Sequence, residues 1–391
     1  MPFDFDQIIN RKNTNSLKWT VESQELPMWV ADMDFNTAPV IIEAIKKRLD
    51  QGALGYSVVP DSFKESIVSW WQRKHNWTIE KEWVLFCTGA IPAISSIVRK
   101  MTTDNEGVVL LTPVYNVFFN SILNNNREVL VSELNYESGN YTIDFADLEE
   151  KLSRDTTKLL IFCNPHNPIG KVWEKKTLEK VGSLCIKYKV LILSDELHCD
   201  LTHKFFCYTP IASVSKKIEQ QTITCVAPTK AFNLAGLQTS AIIVPNKLTR
   251  ELVERGINTD EVAEPNVFAI QAAEAAFNEG ELWLEELIIY LEENKKILDQ
   301  AITTNIPEIN IVPSSATYLA WLDCSQLTED TEYLCHFIRD KTGLYLSEGE
   351  IFGGNGNQFI RWNYACPKSV LMEGIKRFEE AIKLFKEMPN C

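Results

Sequence analysis

The chain has 391 residues, 45% of them hydrophobic and 10% aromatic, with a net charge of -14. That length can bury a large core in more than one lobe, while the acidic balance excludes nucleic-acid binding, which needs clustered lysine and arginine. No run of about 18 uninterrupted apolar residues exists, so no membrane-crossing helix is expected.

The chain starts Met1-Pro-Phe-Asp-Phe-Asp, with acid where a signal peptide needs a basic stretch, and a cytoplasmic protein is expected. Ten cysteines are scattered without a CxxC pair, as suits reduced thiols. His198, Cys199, His203 and Cys207 have metal-ligand side chains, but their spacing matches no structural zinc pattern, and no metal is expected.

In chain order, strand-like runs fall at Trp83–Cys87, Val108–Leu111, Glu128–Glu133, Leu159–Cys163, Val190–Ser194, Thr222–Val226 and Ala241–Val244. Several are continuous Val, Ile and Leu, the pattern of strands covered on both faces. Helical stretches fit between them at Pro92–Lys100, Asn116–Asn124, Phe145–Leu152 and Glu174–Tyr188. The alternation predicts an α/β fold with a mostly parallel, doubly wound, seven-stranded sheet. Beyond it lie a long helix (Glu281–Thr303), strands in Tyr318-Leu-Ala-Trp-Leu and Phe359-Ile-Arg-Trp, and a last helix over Pro367–Glu387. The expected division is a large domain over 46–280 and a smaller α+β domain from 1–45 and 281–391.

Ligands of open α/β sheets bind beyond the carboxyl ends of the strands, and the chemically interesting residues fall there. Thr88-Gly89-Ala90-Ile91-Pro92 opens a helix whose first N–H groups can hold a phosphate, although a tight strand-to-helix turn also uses glycine. Tyr115 in Thr112-Pro-Val-Tyr115 can lie on a heteroaromatic ring or pack in the core. Asn164-Pro-His-Asn167-Pro-Ile-Gly170 carries two Asn-Pro steps that force turn geometry and aim side-chain amides. Leu193-Ser-Asp195-Glu-Leu-His198 ends a strand in an acid. Pro228-Thr-Lys230-Ala-Phe-Asn-Leu-Ala-Gly236 ends another in a lysine, whose desolvated amine would form a Schiff base with an aldehyde. Such a lysine, together with an acid for a pyridinium nitrogen, points to pyridoxal phosphate (PLP).

The succession Asn-Pro-x-Asn-Pro-x-Gly, Ser-Asp-Glu-x-His and Thr-Lys-x-Phe-Asn resembles the fold-type I PLP enzymes of the class I/II aminotransferase superfamily. Pro27-Met-Trp-Val-Ala-Asp-Met-Asp-Phe35, Gly55-Tyr-Ser57, Thr317-Tyr-Leu-Ala-Trp321 and Arg361-Trp-Asn363 are similar to its cystathionine β-lyase branch, the bacterial β C–S lyases. The resemblance implies that Lys230 bonds the cofactor, Asp195 pairs with its ring nitrogen and Tyr115 stacks on the ring. It implies that Asn167 binds the 3-oxygen with His198 nearby, and that Gly89, Ala90, Ile91 and Thr229 hold the phosphate. Arg361 would take the substrate α-carboxylate, with Trp29 and Tyr56 as further substrate contacts. Tyr56 would also reach the phosphate of a neighbouring subunit, making the protein a homodimer.

Many aminotransferases carry arginine eight residues after the lysine; here that position is Gln238. Serine is frequent three residues before the lysine, where this chain has Ala227. The resemblance therefore implies β-elimination of L-cysteine S-conjugates to thiol, pyruvate and ammonia. Transamination of an amino acid is the alternative, and a PLP-fold regulator acting through protein binding is a third.

Overall fold

The computed structural model describes residues 3–388. The seven expected strands share one sheet, and an eighth joins it. The spatial order is Val84–Cys87, Ser240–Ile243, Thr222–Val226, Leu191–Asp195, Thr157–Cys163, Gly107–Thr112, Glu128–Glu137 and Asn140–Ile143. Ser240–Ile243 runs antiparallel to both its neighbours, and the five strands from Thr222–Val226 to Glu128–Glu137 are mutually parallel.

The expectation of seven strands is corrected at the edge. Asn140–Ile143 folds back on Glu128–Glu137 through Ser138 (φ 50°) and Gly139 (φ 82°), a two-residue turn with both φ angles positive, the hand that matches strand twist. The long strand alternates buried and exposed residues along this stretch, so it lacks the continuous apolar run that marks the central strands.

Alternation also builds two cores from the same strands. Val108, Leu110, Leu159, Ile161, Leu193 and Ile223 face the helices Ala90–Met101 and Lys247–Thr259. Val109, Leu111, Leu160, Phe162 and Ile192 face Lys175–Tyr188 and Phe145–Leu152. Successive side chains on a strand point to opposite faces, so each short run of Val, Ile and Leu serves both layers.

A four-stranded antiparallel sheet follows later in the chain, in the order Asn310–Ile311, Leu319–Asp323, Phe359–Asn363, Ser347–Glu348. The helices Glu281–Asn305, Thr331–Thr342 and Lys368–Lys386 accompany it. The N-terminal residues Leu26–Pro27 pair in parallel with Leu344–Tyr345, tying the two ends of the chain together. No helix among the described residues is long and apolar enough to cross a membrane.

Candidate active site

A cavity of about 260 Å³ opens at the carboxyl ends of the parallel strands. Asp195 is the last residue of its strand and stands in register with Cys163 and Cys225 on either side. Because Ser240–Ile243 runs the other way, its beginning, with Gln238 and Thr239 before it, reaches the same end of the sheet. Of the expected residues, Gly89, Ala90, Ile91, Tyr115, Asn167, Asp195, His198, Thr229 and Lys230 all line this space.

Gly89 caps the helix Ala90–Met101, whose first bond in this turn runs from Ala93 N–H to the Gly89 carbonyl at 3.1 Å. The Ala90 and Ile91 amides precede that bond and lack helical acceptors, as at any helix start. The two Asn-Pro units divide their work. Asn164 turns inward, donating to the Thr209 carbonyl at 3.0 Å and accepting from Trp173 N–H at 3.3 Å. Asn167 faces the cavity, and its Oδ1 accepts from Arg361 Nη1 at 3.3 Å, leaving the amide nitrogen as a donor.

Lys230 sits inside a turn closed by Phe232 N–H to the Pro228 carbonyl and Leu234 N–H to the Thr229 carbonyl, both 2.9 Å. Its Nζ donates to the Ala31 carbonyl at 2.8 Å. Burial pulls the amine down to about 8; the Arg361 charge adds to that, while Asp32 and Asp195 oppose it. Burial lifts Asp195 to about 6 against the Leu197 N–H at 3.1 Å and the Lys230 charge. His198 is driven down to about 3 by burial and by the charges of Lys230 and Arg361, so its imidazole is neutral. Arg361 is buried in the second sheet, 6% exposed, and donates through Nη2 to the Trp29 carbonyl at 2.9 Å.

Three expected residues lie outside the cavity lining: Arg361, which meets it through Asn167, and Trp29 and Tyr56, which stand further apart. Trp29 does not line the cavity; its indole stacks on Tyr345 at 4.8 Å, and only its carbonyl meets Arg361. Tyr56 is fully exposed, between the exposed Leu54 and Val58. His203 spends its Nε2 on the Thr317 carbonyl at 2.8 Å. Among the described residues, the metal-type side chains that do meet are His75, Cys199 and Asp200, with His75 Nε2 at 2.7 Å from Asp200 Oδ1.

Thr239 lines the cavity without having been singled out in the sequence, beside Thr88, which opens the glycine motif, and Gln238, which stands where many aminotransferases carry arginine. Thr239 Oγ1 and His198 Nδ1 are buried with no hydrogen-bond partner. Buried polar atoms without partners are uncommon, and the two residues that carry these both line the cavity. The donors suit PLP: amides and threonine hydroxyls for a phosphate, an acid for a ring nitrogen, an amide for a phenolic oxygen and a lysine for an aldehyde. Asn233, part of the sequence motif, serves the frame instead. At φ 57° it exchanges bonds with Met33 N–H (3.0 Å) and the Met33 and Phe35 carbonyls (2.9 and 3.1 Å).

The model of the family "aminotransferase class I and II" matches residues 26–378, and the chain belongs to that family. Within it, the chain is 37% identical to cystathionine beta-lyase PatB of Bacillus subtilis (strain 168), covering 97% of this chain and 100% of that protein. Among solved structures it is similar to cystalysin from Treponema denticola, which contains a PLP cofactor, with a TM-score of 0.95 and 35% identity over 98% of this chain and 99% of that one. The PLP-bound C-S lyase from Staphylococcus hominis matches with a TM-score of 0.90 and 32% identity over 97% and 99%.

Proposed function

We propose that this protein is a PLP-dependent carbon–sulfur lyase that β-eliminates L-cysteine S-conjugates such as cystathionine, giving thiol, pyruvate and ammonia. The observation that carries the reading is the Lys230 amine, held near neutrality in a cavity that also presents Asp195 and Asn167. When bound, PLP supplies an aldehyde for that amine and a protonated ring that withdraws electrons from the substrate's α-carbon.

The chain's own residues do the rest. Arg361 takes the substrate α-carboxylate with its planar pair of N–H groups, exchanging the Trp29 carbonyl for a charged acceptor. Lys230, as a free amine, would remove the proton from Cα as a neutral base; an amine titrating at about 8 is well matched to that task. Asp195 would hold the proton on the ring nitrogen, whose N–H would offset the burial that raises this carboxyl to about 6. Asn167 would donate to the phenolic oxygen and Tyr115 would cover the ring. Ala90, Ile91, Thr229 and Thr239 would hold the phosphate by neutral donors alone, Gln238 standing where a cation is frequent.

Purified protein given L-cystathionine should release pyruvate and free thiol. Consumption of amino acid only when a 2-oxo acid is added would replace the lyase reading by the aminotransferase one, which the family itself contains.

The reading extends to assembly and place. The exposed Leu54, Tyr56 and Val58 support a homodimer in which Tyr56 serves the partner's cofactor, and sedimentation of the holoenzyme tests it. The buried free cysteines fit a cytoplasmic protein. The domain division at 46–280 against 1–45 and 281–391 is supported by the pairing of Leu26–Pro27 with Leu344–Tyr345.

A further inference from the structure

Two donors converge on one backbone oxygen beside the site. Lys230 Nζ donates to the Ala31 carbonyl at 2.8 Å, and the Tyr318 hydroxyl donates to the same oxygen at 3.0 Å. Tyr318 is buried, and its ring stands edge-on to His198 with centroids 6.3 Å apart.

Both partners of this contact are firmly held. Asn363 Nδ2 donates to the Val30 and Asp32 carbonyls, at 2.5 and 2.6 Å, on either side of Ala31. On the other side, Thr317 has φ 74°, a left-handed conformation that a β-branched residue adopts only under constraint. Its N–H donates to the Leu201 carbonyl at 2.9 Å. Its carbonyl accepts from His203 Nε2 at 2.8 Å and the Tyr364 hydroxyl at 2.9 Å. Four bonded neighbours, Leu201, His203, Tyr364 and the Leu319 N–H on Thr317 Oγ1, thus hold the strained link that delivers Tyr318 to the site.

We propose that Tyr318 is a positioning residue for Lys230: its hydroxyl fixes the Ala31 carbonyl that holds the lysine amine and keeps that carbonyl from favouring the ammonium form. A carbonyl oxygen accepts but cannot donate, so the amine gives it an N–H and keeps its lone pair for bond formation. An ammonium donates more strongly than an amine and gains more from an unshared carbonyl. By occupying the oxygen's other lone pair, Tyr318 trims that gain. The charged and titratable groups facing Lys230 are Asp32 from the N-terminal segment, Asp195 and His198 from the large sheet, and Arg361 from the second sheet. Tyr318 acts through Ala31 and leaves those four in place. The inference rests on Lys230 being the nucleophile of the proposed lyase.

The test uses the full-length protein with its cofactor removed, mixed with PLP across a pH series. The Lys230 lone pair bonds the aldehyde carbon with loss of water, so the rate at which visible absorption appears follows the neutral amine. In Tyr318→Phe the acid limb of that rate should move up by about half a unit to one unit, slowing the reaction about three- to tenfold below the limb. The acid limb of kcat for the holoenzyme should move the same way. Replacing Tyr318 by 3-fluorotyrosine, a near-isosteric and stronger donor, should move the limb down, and this variant decides the matter if the phenylalanine form folds poorly. An unmoved limb, or a loss of rate uniform in pH, overturns the proposal. Absence of any borohydride-trapped PLP on the Lys230 peptide of the wild type overturns the lyase reading itself, an outcome distinct from an unmoved limb.

Discussion

The two walls of the cavity are held by different physics. One is the carboxyl end of the large sheet, where Asp195 ends a strand, Asn167 and Lys230 each follow one within a few residues, and all three arrive by local chain geometry. The other is Ala31, carried by the segment Pro27–Phe35, which has almost no regular structure and is held from far along the chain. Asn363 binds the Val30 and Asp32 carbonyls, and Asn233 binds Met33 and Phe35. Lys18, fully buried, pairs with Asp34 at 2.7 Å, and Arg11 pairs with Asp32 and Asp34 at 2.8 Å each. A strand end is rigid because the sheet is rigid; a segment without ladder bonds needs buried polar partners to reach the same fixity. The sheet wall can therefore carry strained chemistry cheaply, whereas charge changes near the other wall should register first as stability.

The largest expected effect is on the sheet wall. Lys230→Ala should lower pyruvate release from L-cystathionine by roughly a thousandfold or more, abolish the visible absorption of bound PLP and leave the melting temperature of the cofactor-free protein nearly unchanged. A variant that kept both activity and absorption would end the assignment. Lys18→Met tests the opposite wall. It leaves Asp34 buried beside Arg11 and Trp19 alone, and urea unfolding should show a loss of roughly 3 kcal/mol. If stability were unchanged while activity fell, the contrast between the walls would be wrong.

Smaller effects sharpen the comparison where the walls meet. Arg361→Lys keeps the charge but loses the planar fork; kcat/KM should drop roughly tenfold to a hundredfold, mostly through KM, in initial-rate measurements. The smallest is a pH effect. The Asp195 carboxyl is raised from 3.8 to about 6, so below that pH it is increasingly protonated and cannot accept the ring's N–H. PLP dissociation constants should therefore rise by up to about tenfold per unit of acidification under pH 6, and Asp195→Asn should lose this dependence.

Much of the sheet wall was legible because its signals are local. A run of Val and Ile ending in Ser-Asp, an Asn-Pro pair and a Thr-Lys turn each carry their meaning within a few residues, and chain order places them on neighbouring strands. Thr239 escaped notice because its role depends on Ser240–Ile243 running antiparallel, which brings a strand's beginning to the end where the others finish. Tyr318 stood inside a quoted motif, yet nothing in Thr317-Tyr-Leu-Ala-Trp321 announces a left-handed threonine or a carbonyl shared across the chain with Lys230. The edge hairpin was missed for a related reason, since a half-exposed strand lacks the apolar run that marks a buried one.

Periodicity and turn chemistry in the linear chain were thus sufficient for the α/β class and the residues at the strand ends, and the resemblance of short motifs supplied the family, because all of these depend on neighbours in sequence. The second wall came from contacts across two hundred residues and more, Asn233 with Met33, Arg361 with Trp29, Tyr318 with Ala31. Hydrogen bonds of that kind are directional and demand atoms within about 3 Å, a condition that only packing of the whole chain can meet.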